Sequence, residues 1–316
     1  MTAPIGVLVM AYGGPASLDE IPGYLADIRS GRPTPRAVVE EITDHYRKIG
    51  GRSPILEISL RQARALEARL GAEFRCRVGM RHWAPWIEDE VGRMAGEGIR
   101  RAVGIVLAPH YSAMNTERYF RKAEDGARLF RAPLALAFVK SYHDSPPLIE
   151  ALARRVEDGI GRWPVAKRPM VHVVFSAHSL PARTLKEGDP YDSQLRETAA
   201  LVARRAGLSE DRWSWSYQSA GKSPEPWLGP QLEEHIPALA ARGIRDVVCV
   251  PVGFVSDHVE ILYDIDREAQ EAARASGVRL ERPPALNDDP LFIEALTRAV
   301  RSRAVEAGWM EDKATA

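Results

Sequence analysis

The chain carries one pattern twice. Ile5–Pro15, IGVLVMAYGGP, and Val171–Pro181, VHVVFSAHSLP, each run an apolar segment into Ala, a polar ring residue (Tyr12 or His178), two more residues and Pro. Pro85-Trp86 is echoed by Pro226-Trp227, and Gly98–His110, GIRRAVGIVLAPH, by Gly243–Phe254, GIRDVVCVPVGF. Three matches in the same order predict two similar lobes.

The periodicity gives each lobe its class. Strand-like apolar runs lie at Ile5–Met10, Phe74–Val78, Ala102–Leu107, Leu134–Val139, Val171–Phe175, Trp213–Tyr217 and Val247–Val252. Amphipathic helical stretches alternate with them: Ser59–Leu70, Ile87–Ala95, Tyr119–Leu129, Pro147–Ile160, Tyr191–Ala206 and Leu228–Ala241. Strands too apolar to face water on either side predict α/β lobes, each a parallel sheet covered by helices. Ligands of such sheets bind beyond the carboxyl ends of the strands, so Tyr12, His110, His178 and residues 253–260 are expected to line one cleft between the lobes. Ile21–Ile58 has no counterpart in the second half; it holds a helix over Ala37–Lys48, and its Gly-rich end, IGGRSP, reads as a lip over the cleft.

Several function classes lose support. Lys+Arg and Asp+Glu both number 43, which leaves no electrostatic footprint for nucleic acid. The two cysteines, Cys76 and Cys249, sit in apolar runs and read as buried, reduced thiols. No GxGxxG follows a strand, and neither a P-loop nor a nucleophile elbow is present. The start, MTAPIGVLVMAYGGP, lacks the basic region of a signal peptide, and no segment has the roughly 20 apolar residues of a membrane span. A cytoplasmic protein is expected.

Glu260, Asp264 and Glu268 recur every four residues in GFVSDHVEILYDIDRE, a spacing that stacks carboxylates on one helix face. Such a row is either a solvated face, with Asp257 as N-cap and Glu260 closing a capping box, or a ladder of oxygen ligands for a divalent cation. His178, at a strand end, is either structural or the partner of Glu260 in acid/base work or metal binding. Tyr12 is a core tyrosine or presents its oxygen from the opposite lobe, and His110 is as ambiguous. His258 is expected to turn outward or to bond backbone, and His172 to be structural. Aromatic residues near the loops suit a flat apolar ligand, and Arg29, Arg32 and Arg52 are surface residues or partners for carboxylates on its rim.

Taken together, LVMAYGGP, IGGRSP, GMRHWAPWIED, IVLAPHYS, SAHSLP, GDPY, PWLGP and VPVGFVSDHVEILYDID resemble the ferrochelatase family, whose members insert ferrous iron into a porphyrin. The resemblance covers nearly the whole chain. Tyr12 after the first strand is similar to the branch acting on coproporphyrin III rather than protoporphyrin IX, and the absence of a C-terminal cysteine cluster fits a form without iron–sulfur. The resemblance implies two Rossmann-like lobes, 1–141 with a returning helix in 289–316, and 142–288. It implies His178 and Glu260 as catalytic and Fe²⁺-binding residues, Tyr12 as an axial ligand to product iron, and Arg29, His45, Tyr46, Ser53, Tyr119 and Trp227 as porphyrin contacts. Asp264 and Glu268 match an outer metal site that holds Mg²⁺ in some relatives; no prosthetic group is implied. The partners implied are porphyrin and Fe²⁺, with a monomer meeting neighbouring haem-pathway enzymes transiently. Two positions depart from the pattern: His45 replaces an Arg, a titratable cation for a fixed one, and Ser30 replaces another Arg. A protoporphyrin IX ferrochelatase, a cobalt or nickel chelatase for another tetrapyrrole, and a non-catalytic porphyrin or haem carrier are the alternatives.

Overall fold

The computed structural model describes residues 3–221 and 223–311. The chain divides into two compact units, Met1–Tyr142 with Asp288–Ala316, and His143–Asn287.

In the first unit the strands β1 (Ile5–Ala11), β2 (Phe74–Met80), β3 (Arg101–Val106) and β4 (Ala135–Phe138) form a parallel sheet in the order β2-β1-β3-β4. Every residue of β1 is buried, because helices cover both faces. Leu8, Met10, Ala102 and Val106 pack under Ile87, Val91, Met94, Tyr119 and Phe120 of the helices Ile87–Gly96 and Thr116–Leu129. Each large apolar side chain so enclosed contributes about 1.5–3 kcal/mol. The helix Ile55–Leu70 packs with the C-terminal helix Pro290–Glu306, whose Arg301 donates to the Leu70 carbonyl at 2.8 Å. Asp289 caps that last helix through the Leu291 amide, 2.8 Å away.

The second unit repeats the plan. Its strands β5 (His172–His178), β6 (Trp213–Gln218), β7 (Asp246–Val250) and β8 (Arg279–Glu281) are parallel in the order β6-β5-β7-β8, the same arrangement by rank as the first sheet. One face carries Leu232, Ile236 and Leu239 of the helix Leu232–Ala241 with Ile261, Ile265 and Ala269. Both sheets have the class that the periodicity predicts.

The differences have local causes. The helix expected from Ser59 begins at Ile55, directly after Pro54, which as N-cap needs no amide hydrogen. The helix expected from Leu228 starts at Leu232, because Pro230 cannot extend it and Leu228 is tied to the Leu180 carbonyl at 2.8 Å. Strand β8 and the helix Ile21–Ile28 escape the periodic reading because they are short. Cys249 is buried and its thiol is pushed up to about 12 by burial, but Cys76 is only half-buried, since β2 is the sheet edge. The Gly50-Gly51 pair is a hydrogen-bonded helix stop: both take positive φ, and Gly51 donates to the Tyr46 carbonyl at 2.8 Å. Among the described residues no helix is long and apolar enough to cross a membrane.

Candidate active site

Strand β5 lies between β6 and β7, so the chain leaves it first to one side and then to the other. The carboxyl ends at that reversal are where a sheet of this kind exposes side chains to a ligand. His178 ends β5, and the loop after β7 leads through Gly253 to Glu260. The loop comes close because residue 253 has no side chain. Its amide donates to the Ser176 carbonyl at 3.2 Å, and a Cβ there would sit 2.5 Å from Ala177 Cβ.

His178 Nε2 and Glu260 Oε1 are 3.7 Å apart, and His258 Nε2 stands 3.6 Å from Glu260 Oε2. The tautomers follow from the other ring nitrogens. His178 Nδ1 bonds the Ser179 carbonyl and His258 Nδ1 the Ser256 carbonyl at 3.0 Å. A carbonyl only accepts, so each Nδ1 carries hydrogen and each Nε2 of a neutral ring presents a lone pair. His258 thus bonds backbone, as expected, yet it does not turn outward. Phe254 lies near both rings, its centroid 6.5 Å from His178 and 5.1 Å from His258. Burial pushes the Glu260 carboxyl up, but His178 and then His258 outweigh it and carry the group down to about 2, so it is ionised at neutral pH.

The carboxylate row is not on a regular helix. Asp257 is no N-cap: His258 occupies that position, and the Asp257 carboxylate is taken by Arg282 at 2.7 Å and Asn287 at 2.8 Å. A part-buried guanidinium and amide outcompete a helix terminus. A short turn, Val259–Leu262, passes into a π-helix over Asp264–Ala269, in which Glu268 N–H reaches the Tyr263 carbonyl at 3.2 Å. In an α-helix residue i+8 lies roughly 80° away from residue i; one π-turn absorbs a residue and brings Glu268 back to within roughly 20° of Glu260. Burial raises the Asp264 carboxyl well above its usual range, with Glu260, Glu268 and Glu233 adding to it and the Ser219 hydroxyl, which bonds Asp264, opposing. Glu233, at the start of the helix Leu232–Ala241, is itself raised by burial. Among the described residues no three His, Cys, Asp or Glu side chains close on one metal point.

Three residues of this neighbourhood give no signal in the sequence. Gln218 ends β6 fully buried and donates from Nε2 to the Glu260 main-chain carbonyl at 2.6 Å. Ser219, just beyond it, has φ +60°. Arg282 grips Asp266 of the π-helix with two bonds, at 2.7 and 2.6 Å, as well as Asp257. Trp227 forms a bridge with Pro181, donates to Ser223 at 2.9 Å and leaves no space for a Cβ at Gly221.

The other expected contacts belong to the first unit. Tyr12 follows β1 and meets His82 at 4.6 Å between ring centroids. The buried Arg81 guanidinium lies 5.7 Å from the Tyr12 ring and 5.1 Å from that of Tyr119, and it donates to Asn115 at 2.6 Å. Tyr119 and Tyr46 are almost wholly enclosed, 4% and 2% exposed, with Tyr46 edge-on to Tyr24 at 6.4 Å. His45 faces Glu41 at 3.9 Å on the helix Arg36–Lys48. Ser53 donates its amide to the Pro15 carbonyl at 2.8 Å. Of the three arginines, Arg32 folds onto the Arg29 carbonyl and Arg52 faces Glu57 at 3.6 Å, whereas Arg29 keeps a buried Nε with no hydrogen-bond partner among the described residues. His110 is buried.

Comparison with known proteins agrees along the chain. The family model described as Ferrochelatase matches residues 4–304. A ferrochelatase of Deinococcus radiodurans is 53% identical over 306 residues, covering 96% of this chain and 97% of that protein. A coproporphyrin III ferrochelatase of Geobacillus kaustophilus is 41% identical over 309 residues, covering 96% and 97%. Among solved structures, the cobalt complex of a sirohydrochlorin chelatase from Bacillus subtilis subspecies spizizenii shares the fold, with a TM-score of 0.58 at 12% identity, covering 96% of this chain and 97% of its own.

Proposed function

We propose that this chain, which belongs to the ferrochelatase family, takes coproporphyrin III as the porphyrin into which it inserts Fe²⁺. Its place in haem biosynthesis follows from the family. The choice of coproporphyrin III is supported by relatives of that name at about 40% identity over nearly the full chain, and by Tyr12 directly after β1. Coproporphyrin III carries four propionates against two on protoporphyrin IX, and the unpartnered Arg29 Nε is a donor suited to one of them.

The observation that carries the chemistry is the ionised Glu260 facing His178 Nε2 across 3.7 Å. A porphyrin holds two pyrrole protons in its plane where the metal must enter. Insertion exchanges Fe²⁺ for those two protons with no change of oxidation state, so it needs a path for the metal and acceptors for the protons. Metal bonds of about 2.1 Å to one nitrogen and one oxygen place those atoms roughly 3.0–3.4 Å apart, and the observed 3.7 Å closes to that with a small movement. Glu260 and His178 then present Fe²⁺ to the ring, and as it leaves them they take up pyrrole protons. Tyr12 supplies a phenol oxygen as an axial ligand to the inserted iron, and Tyr46, Ser53, Tyr119, His45 and Trp227 contact the macrocycle. Asp264 and Glu268 are hard oxygen donors of the type Mg²⁺ takes; burial first, and then the neighbouring carboxylates, raise Asp264, and a cation there would favour its charged form.

An anaerobic assay pairing Fe²⁺ with coproporphyrin III and with protoporphyrin IX tests the reading. The expected result is faster metallation of coproporphyrin III; a preference for protoporphyrin IX overturns the substrate assignment, and tight binding with no turnover of either overturns the enzyme.

A further inference from the structure

We propose that Gln218 is a positioning residue for iron insertion, a strut that sets the distance between Glu260 and His178. The inference rests on the reading of those two residues as the ones that carry the metal and protons. Gln218 is the β6 partner of His178 in the parallel register, and its carbonyl accepts the Ser179 amide at 2.8 Å. Its backbone is therefore fixed to the strand end that carries His178. Its side chain crosses to the other partner: Nε2 donates to the main-chain carbonyl of Glu260 at 2.6 Å.

The amide has only one orientation that satisfies its neighbours. The Glu260 carbonyl accepts only, so Nε2 must face it, which turns Oε1 to the Ser176 hydroxyl, 2.8 Å away. Ser176 in turn lies on β5, two residues before His178, and touches Cys249 of β7 at 3.6 Å. One buried side chain thus ties together β5, β6 and the turn that presents Glu260. Among the described residues the Glu260 side chain has no hydrogen bond to a fixed backbone donor, and the two imidazoles face its oxygens. Its place relative to His178 is set through its main chain, and Gln218 holds that main chain from the His178 side. A glutamine buried only for packing would not need both ends of its amide matched to groups flanking the two reacting side chains.

Gln218→Met keeps the shape and breaks both bonds; Ser176→Ala leaves the Glu260 bond but frees the amide to turn. Steady-state iron insertion into coproporphyrin III, near-ultraviolet circular dichroism and thermal melting are measured on both, with His178→Ala in parallel. Gln218→Met is expected to lose about tenfold to a hundredfold in kcat and to raise the KM for Fe²⁺, with the porphyrin KM within about twofold of the parent. Ser176→Ala is expected to show the same split with a smaller loss, and it decides the matter if Gln218→Met does not fold. Folded variants with parental kcat and Fe²⁺ KM overturn the proposal. So does a loss that only follows the unfolded fraction, or one that raises both KM values alike. Full activity in His178→Ala would instead defeat the reading of the site, whatever the Gln218 variants do.

Discussion

Glu260 and His178 face each other across 3.7 Å without a hydrogen bond, although one is an ionised carboxylate and the other a ring with its Nε2 turned toward it. A closer pair would satisfy itself and be slow to open. A more distant pair would not share a metal. The separation leaves both groups with unspent coordinating capacity, and the third ring, His258, stands at a similar distance from the second oxygen of the same carboxylate.

Removing either partner should therefore remove the chemistry and spare the scaffold. His178→Ala is expected to lower iron insertion by at least about 10²-fold, with porphyrin affinity, followed by quenching of porphyrin fluorescence, nearly unchanged. Glu260→Gln keeps the shape and withdraws the charge, so a comparable loss is expected. Full turnover in His178→Ala would refute the assignment.

Gly253→Ala tests whether the approach of the two strand ends matters. The new methyl would meet Ala177 Cβ at 2.5 Å and Ala177 Cα at 3.0 Å, beside His178. Neither neighbour is a flexible tip that can swing away. We expect a stability cost of about 1–3 kcal/mol by urea unfolding, and a drop in kcat larger than the rise in porphyrin KM. Parental stability together with parental kcat would show that the loop has slack.

Much of this was legible in the residues. The buried strands of a parallel sheet write long apolar runs, and the two halves write them in the same order, so the repeated plan is visible before any coordinate. His178 and Glu260 are visible too, one from its place after a strand, the other from the four-residue spacing. What holds them is not. The slip from α to π hydrogen bonding at Tyr263 depends on how Ile261, Ile265 and Ala269 seat against the sheet. Gln218 reads as an ordinary polar residue at a strand end. Asp257 looks like an N-cap in sequence because its competing partner, Arg282, lies 25 residues away.

The Arg282 clamp should contribute to the stability of the second unit. It is 10% exposed at the side chain and binds Asp257 ahead of Glu260 and Asp266 beyond it. Arg282→Met leaves two part-buried carboxylates without their cation, and a loss of about 1–3 kcal/mol is expected. Adding Asp257→Asn and Asp266→Asn to that variant should recover part of it, because the penalty is mostly stranded charge. If the triple variant is no more stable than Arg282→Met in urea titration, the charges are not the cause.

Acid should weaken the fold through His172. Its Nε2 meets the Ser214 hydroxyl at 2.8 Å, and Ser214 meets His235 Nε2 at 2.8 Å, so a buried and a half-buried ring share one hydroxyl at the start of the second sheet. Burial first, then His235, Arg242 and Arg212, lower His172 to about 4, against a small opposing effect of the Asp211 backbone. The unfolded chain takes up that proton near 6.5 and the folded one only near 4. Between those values the unfolded state binds more protons, so stability is whole above 6.5 and falls as the pH drops toward 4. The loss for this one group is on the order of 3 kcal/mol. His172→Gln keeps a partner for Ser214 and cannot titrate; its urea midpoint should fall less steeply than the parent's over that window, closing the gap between the two as the medium is acidified. Parallel curves from pH 7 to pH 4 would mean that His172 carries no part of the acid sensitivity.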